Sequence, residues 1–284
     1  MSLLTNKVLF DLFGNSYYYS YCIEFILNCK FKLNKENVIN TLIIAKKKIP
    51  MTDKELQEYC SNNLNSVINF NIKNEKESTL FLHHIIYSSS DLYKKIISYS
   101  KENNIILNIN EQNNEGFYPL LYFCAIDEYF ELLINYARDN KIVLEMNSQD
   151  KNGNNSYFHI IKNGFKNKLK FTLIYKITKL LFDYAKETNY ILDLNKKDNE
   201  GNSLLLYVIL NTDCIYRDFK IKLVQLIIDH ASEFNIILEF CEKNNEGKSV
   251  ISEAYNNYEI FKLLIEYAEK SNVVSDIFKY ANIL

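Results

Sequence analysis

The chain contains little proline and glycine and no tryptophan: two prolines and six glycines stand among 284 residues. Both residue types disfavour helix interiors, so their scarcity favours a mostly helical protein with short turns. The nucleotide-binding patterns Gly-x-Gly-x-x-Gly and Gly-x-x-x-x-Gly-Lys are missing, as is the hydrolase pattern Gly-x-Ser-x-Gly. No catalytic or cofactor-binding residues are therefore assigned.

Neither sign of charge is in excess: 33 Lys and Arg residues face 35 Asp and Glu residues, for a formal net charge of −2. This balance argues against nucleic acid or an anionic membrane as a general partner. No apolar run approaches transmembrane length, and the first residues show no small-residue cleavage site. We expect a monomeric, cytoplasmic protein without a transmembrane segment.

Cysteine and histidine do not form a metal-binding pattern. None of the six cysteines belongs to a Cys-x-x-Cys pair, which indicates reduced, buried thiols. His83 and His84 are adjacent and lack the i, i+4 spacing that places two imidazoles on one helix face. His159 and His230 fall at repeat positions of the tyrosine type and are expected to be structural. The sequence therefore predicts no metal site, no cofactor and no enzymatic activity.

An internal repeat is the strongest positive signal in the chain. Four glycines each follow an aromatic position of a helical pattern by 17 residues: Tyr99 to Gly116, Tyr136 to Gly153, Tyr184 to Gly201 and His230 to Gly247. Between them recurs a short alternating apolar segment and then a polar turn. A repeat of 20–50 residues indicates a solenoid, in which units bury their apolar faces only by stacking.

The spacing between units is irregular. The interval from Tyr136 to Tyr184 is 48 residues and that from Tyr184 to His230 is 46, against 37 for the flanking intervals. The extra length falls between the two helices of a unit, roughly at Lys162–Tyr175 and Asn211–Lys222. The first insertion is rich in lysine, so it is read either as a solvated hairpin tip or as a basic surface for an acidic partner or an anionic membrane.

The units resemble ankyrin repeats. The Asp-x-x-Gly turn of that family stands here as Asp150-Lys151-Asn152-Gly153 and Asp198-Asn199-Glu200-Gly201, and Asn replaces Asp before Gly116 and Gly247. Leucine pairs mark the second helix of several units. Tetratricopeptide and HEAT repeats are the rival readings, but neither needs a glycine-closed arm. The resemblance implies an all-α, ankyrin-repeat solenoid of stacked helix-turn-helix units joined by extended arms and glycine turns.

The resemblance also suggests how the chain is divided. Ankyrin repeats are expected over residues 71–274, with glycines at positive φ and five helix pairs between 76 and 272. Residues 1–70 are expected to be degenerate units that form an N-terminal cap, because terminal units are often atypical. The segment 275–284 is expected to form a C-terminal cap. The helix-capping position of the first well-formed unit is assigned to Ser78.

The ankyrin resemblance implies a protein partner bound on the concave surface, at the turn tips and first helices. Phe117 is the aromatic member of the tip set and a candidate anchor, unless it folds back on its own turn. The alternatives are an adaptor that recruits a target to a larger complex, for example a ubiquitin ligase, and a purely structural solenoid. The candidate partner-binding residues are Asn114, Glu115, Phe117, Lys151, Asn152, Asn154, Asn199, Glu200, Asn202, Asn245, Glu246 and Lys248.

Overall fold

A computed structural model describes residues 70, 71, 73, 79, 81, 82 and 85, and the stretch 90–273 apart from 124–126, 167–170 and 212–216. The expected caps at 1–70 and 275–284 therefore lie almost wholly outside the described residues. Within these residues the regular structure is helical, and β pairing is limited to one isolated bridge between Lys73 and Thr79.

The described stretch contains nine helices: α1 Ser90–Glu102, α2 Pro119–Phe123, α3 Asp127–Asp139, α4 Ser156–Lys166, α5 Phe171–Glu187, α6 Leu204–Asn211, α7 Arg217–Glu233, α8 Val250–Ala254 and α9 Tyr258–Lys270. Helices α4 to α9 form three helix pairs, each a short first helix followed by a longer second helix, and α2 and α3 follow each other along the chain in the same short and long order. Helix α1 occupies the place of a second helix, and Phe81, Leu82 and Ile85 are helical in the segment before it. The all-helical repeat is thereby confirmed.

The two insertions lengthen helices. Helix α4 has 11 residues against five in α2 and α8, and α5 has 17 residues against 13 in α3 and α9. Helices α6 and α7, with eight and 17 residues, are lengthened in the same way. Hence most of the extra sequence continues the two helices of each hairpin past their usual ends.

Helix starts are capped at a constant position in the repeat. Asn155 accepts a hydrogen bond from the Phe158 amide at 3.3 Å, and Ser203 accepts one from the Leu206 amide at 3.3 Å. Ser249 forms a reciprocal capping box with Ser252. In the earliest described unit the cap is Thr79, whose hydroxyl accepts from the Leu82 amide at 3.1 Å. The assignment of that cap to Ser78 was wrong by one residue.

Helix ends rely on asparagine. Second helices are followed by a residue at positive φ, and the next amide bonds back five residues, as the Tyr190 amide does to the Ala185 carbonyl at 2.8 Å. This is the Schellman arrangement, in which glycine usually takes the left-handed position. Asparagine tolerates that conformation better than other non-glycine residues, which explains how the chain manages with so few glycines. The left-handed residues are Asn104, Lys141, Asn189, Asn235 and Asn272.

The backbone contacts divide the chain into two units, residues 1–122 and 123–284. In the second unit, first helices α4, α6 and α8 pack side by side in one layer. Second helices α3, α5, α7 and α9 form the other layer. The core between the layers is apolar and aromatic, with Tyr157, Phe158 and Leu181 buried completely. The arms and glycine turns then connect each second helix to the next first helix.

Candidate interaction surface

Each glycine turn is closed by its own Asp or Asn side chain. Oδ1 of Asp150 accepts hydrogen bonds from the amides of Asn152 at 2.8 Å and Asn154 at 2.9 Å. The Gly153 amide then bonds to the Asp150 carbonyl at 3.0 Å, with Gly153 at φ +72°. The same geometry recurs at Gly116, Gly201 and Gly247, which confirms the expected positive φ. Asn113 and Asn244 make these bonds as Asp198 does, because an amide oxygen accepts as a carboxylate does.

Asp150 and Asp198 do not face solvent. Their exposed fractions are 6% and 5%, so they belong beneath the turns. Aspartate is usually exposed, so the burial of both side chains requires compensation. Each carboxylate accepts hydrogen bonds from two turn amides and has side-chain partners as well, His159 for Asp150 and both Lys162 and Asn202 for Asp198. These bonds compensate for the burial of the charge.

Neighbouring turns in the second unit are joined directly. The Asn199 amide donates to the Asn152 carbonyl at 3.2 Å, and its side-chain Nδ2 donates to the Lys151 carbonyl at 2.8 Å. Asn245 repeats the pattern on the next turn, bonding to the carbonyls of Glu200 and Asn199 at 3.0 Å each. The turns therefore form a continuous hydrogen-bonded edge, whose backbone is held while the outward side chains remain in solvent.

The predicted tip residues divide into exposed and buried sets. Asn154 and Asn202 are buried, with 8% and 3% exposed, so they are corrected from partner-binding candidates to residues that hold the turns. In the first unit, Asn114 and Glu115 are exposed and Phe117 is half-buried. Lys248 is half-buried and pairs with Glu246 at 2.8 Å. The exposed tips of the second unit, called the turn-tip surface below, are Lys151, Asn152, Asn199, Glu200, Asn245 and Glu246.

A buried polar row lies behind the turn-tip surface. Nε2 of His159 in α4 lies 3.0 Å from Oδ2 of Asp150, and Nδ1 lies 3.3 Å from Nδ2 of Asn163. Burial lowers the pKa of His159, and the carboxylate of Asp150 offsets this only in part. The ring is therefore neutral near pH 7, with the proton on Nε2. His159 thus has the structural role expected for it.

Lys162 extends this row to the next repeat. Its Nζ lies 2.7 Å from Oδ2 of Asp198 and 4.8 Å from the ring centroid of Tyr207. Lys162 is the one lysine of the insertion whose side chain the structure describes, and further along α5 Lys176 pairs with Glu131 and Lys179 with Asp183.

The third interaction of the buried polar row joins two side-chain amides. Nδ2 of Asn244 donates to Oδ1 of Asn202 at 2.8 Å. One repeat earlier the donor position is occupied by Asp198, which has no N–H to offer. Accordingly, the buried Oδ1 of Asn154 makes no hydrogen bond with any residue the structure describes.

The arms carry a second set of inter-repeat bonds that sequence reasoning missed. Asn147 donates from Nδ2 to the Ile191 carbonyl at 2.9 Å and accepts at Oδ1 from the Asp193 amide at 2.9 Å. Asn195 makes the same pair of bonds to Ile237 and Glu239 on the following arm. The signal was present as an asparagine six residues before the glycine in three of the four arms, at Asn110, Asn147 and Asn195, with Cys241 at that place in the fourth.

In the part of the chain that the structure describes, no group of three or more His, Cys, Asp or Glu residues is placed to hold a metal ion. None of the nine helices is long and apolar enough to span a membrane.

Comparison with known proteins relates this geometry to one fold. No protein-family model matches the sequence, and no curated protein matches it. An ankyrin repeat domain from Acinetobacter baumannii AYE aligns with a TM-score of 0.50 and 14% identity, over 74% of this chain and 92% of that domain. A second solved ankyrin repeat protein aligns with a TM-score of 0.46 and 17% identity, over 75% and 92%. At such identity the likeness concerns the fold alone: this chain folds as an array of ankyrin repeats.

Proposed function

We propose that the protein is a non-enzymatic scaffold that binds a partner protein on the turn-tip surface. One observation carries the proposal: a hydrogen-bonded backbone presents exposed polar side chains at equivalent positions of successive turns. Asn152, Glu200 and Glu246 occupy the same place in three successive turns, and all three are exposed. A backbone already ordered in the free protein lowers the entropic cost of binding. The order Asn, Glu, Glu along the three turns provides the basis for choosing one partner.

The ankyrin-repeat fold supports a role in protein interaction in general, and the balanced net charge supports a protein partner over nucleic acid. We further propose that the protein acts as a monomer in the cytoplasm. A role as an adaptor within a larger complex would use the same surface.

The test compares variants in affinity purification from the source cells, followed by mass spectrometry. A triple variant, Asn152→Ala, Glu200→Ala and Glu246→Ala, removes tip side chains while leaving the backbone ladder intact. The matched control, Lys262→Ala with Glu266→Ala, removes an exposed ion pair on α9. One stoichiometric partner should be retained by the wild type and the control and lost by the triple variant. Retention of that partner by the triple variant would refute the proposal.

The Phe117 candidate is tested in the same assay. If its half-buried ring is an anchor, Phe117→Ala should weaken partner binding by about 1–3 kcal/mol, whereas Lys151→Ala should have a smaller effect. The control is the thermal stability of Phe117→Ala. A loss of stability that accounts for the loss of binding would assign the ring to its own turn.

A further inference from the structure

The arms of the second unit expose an aliphatic column. Residues alternate along each arm, so that Leu144 and Met146 are buried while Val143 and Glu145 are exposed. The exposed aliphatic residue recurs on each arm: Val143 is 46% exposed, Ile191 63% and Ile237 57%. A single exposed isoleucine is ordinary, but three in register form a continuous apolar feature.

An acidic column runs beside the aliphatic one. Glu145, Asp193 and Glu239 are exposed two residues after Val143, Ile191 and Ile237, and side chains two residues apart on an extended segment share a face. Together these six residues are called the arm face below. The Asn147 and Asn195 bridges hold successive arms against each other, so both columns continue along the unit.

Two of the three acidic side chains of the arm face, those of Asp193 and Glu239, are not neutralised by any base that the structure describes. Acidic side chains on the second helices commonly pair with a neighbouring base, as Glu187 does with Arg138 and Glu259 does with Arg217. By contrast, Asp193 and Glu239 form no ion pair with any residue the structure describes. Since ordered carboxylates beside an apolar column complement a basic and aliphatic surface, the occupant is defined by its charge as well as by its apolar contacts.

The spacing restricts the shape of that occupant. Neighbouring helices pack about 8–10 Å apart, so successive arms recur at about the same distance. A polyproline II peptide advances about 9 Å per three-residue turn. Every third side chain of such a peptide would therefore contact the same column of the arm face, one arm after another.

We propose that the arm face binds an extended peptide with a basic residue at every third position and an aliphatic residue next to each base. The bases lie along Glu145, Asp193 and Glu239, and the aliphatic side chains lie along Val143, Ile191 and Ile237. This surface is separate from the turn-tip surface and does not depend on it.

The test is a fluorescence anisotropy titration of the full chain with a labelled peptide of three Arg-Leu-Pro repeats. A peptide of the same composition in block order is the spacing control. Asp193→Asn with Glu239→Gln should weaken binding of the repeat peptide about 5-fold or more, and Ile191→Thr with Ile237→Thr should weaken it to a similar extent. Glu200→Gln with Glu246→Gln removes equal charge from the turn tips and should change binding less than about 2-fold.

The proposal is supported if the repeat peptide binds more tightly than the block peptide and if the arm-face variants lose more affinity than the turn-tip variant. It is overturned if the peptide does not bind, if the block peptide binds equally well, or if the turn-tip variant weakens binding as much as the arm-face variant. Matching circular dichroism melts verify that the variants are folded.

Discussion

The four turn glycines share a positive φ but not the same surroundings. A Cβ on Gly153 would lie 2.7 Å from Asn199 Oδ1 and 2.8 Å from the Asn199 amide nitrogen. On Gly201 it would lie 2.8 Å from Asn245 Oδ1. On Gly247 it would meet nothing within 4 Å. Two of these glycines therefore serve the stacking of turns as well as their conformation.

Alanine substitution should separate the two effects. We expect Gly247→Ala to cost about 1 kcal/mol from backbone strain alone, and Gly153→Ala or Gly201→Ala to cost about 2–4 kcal/mol because the next turn must also move. Urea denaturation of the full chain measures the difference. Equal losses at Gly201 and Gly247 would contradict the close-approach argument.

The Lys162–Asp198 pair is a buried charge interaction that an all-amide pair can replace. Lys162→Met leaves the Asp198 carboxylate buried without its cation, and we expect a loss of about 3 kcal/mol in the free energy of unfolding. Adding Asp198→Asn should recover most of this loss. The new amide can donate to the unpartnered Asn154 Oδ1, as Asn244 donates to Asn202.

The check is a double-mutant cycle by chemical denaturation. The cycle should show a coupling of about 2 kcal/mol between the two positions. If the double variant is as unstable as the sum of the single variants, the Asn244–Asn202 geometry is not transferable to this step.

His230 replaces a tyrosine and loses that tyrosine's hydrogen bond. Tyr184 donates to the Ile142 carbonyl of the preceding arm at 2.6 Å, and Tyr267 donates likewise to Ile236. The ring of His230 instead packs against Phe182 and Phe234, with centroids 4.6 Å away in each case. Its Nε2 makes no hydrogen bond with the described residues. Burial lowers the pKa of His230 to about 4, and Glu233 and Asp183 offset this only in part.

This pKa predicts acid destabilisation in a defined window. Between pH 6.5, the ordinary histidine value, and about 4, the unfolded chain binds a proton that the folded chain does not. The free energy of unfolding should therefore decrease as the pH is lowered through this window, by about 1–3 kcal/mol after allowance for solvent screening. His230→Tyr should reduce that dependence, and its hydroxyl can donate to the Tyr190 carbonyl. Thermal melts from pH 7.5 to about 4 provide the measurement. An unchanged pH dependence in His230→Tyr would show that other groups cause it.

At the scale of elements, the described second helices end at a non-glycine residue in the left-handed conformation. Four of the five described ends use asparagine, and Lys141 is the exception at φ +55°. Lysine has no short polar side chain to stabilise this conformation, so the end of α3 should carry more strain than the end of α5.

Exchanging residues at these two ends tests the argument. Lys141→Asn should raise the free energy of unfolding by about 0.5–1 kcal/mol, and Asn189→Lys should lower it by a similar amount. Both positions are exposed, so packing changes little. Equilibrium denaturation of the two variants should shift in opposite directions, and a shift in the same direction would be inconsistent with a conformational cause.

At the scale of the whole molecule, the proposed N-terminal cap is open to a truncation test. Phe70 is completely buried, its ring packs edge-on against Tyr99 at 5.9 Å, and its carbonyl accepts from the Phe81 amide at 3.0 Å. The fragment 71–284 removes these contacts together with everything before them. We expect it to be less stable than the full chain, with a melting temperature lower by several degrees, about 4 °C or more.

Phe70→Ala in the full chain is the control, because it removes the ring alone. If the fragment is less stable than this variant, residues before Phe70 contribute as a cap. A soluble fragment that melts at the same temperature as the full chain would identify residues 1–70 as a separate domain.

The sequence by itself determined the repeat, the helical class and the place of each glycine turn. These follow from local spacing: an apolar pattern at helical period and a glycine at constant distance from it. The tertiary structure alone decided which polar residues are available. The side chain of Asp198 is buried and bonds to Lys162, which lies 36 residues earlier in the sequence. The side chain of Asn202 is buried and bonds to Asn244, which lies 42 residues later. A polar residue in a turn has the same local signature whether it faces solvent or the neighbouring repeat, and only stacking distinguishes the two.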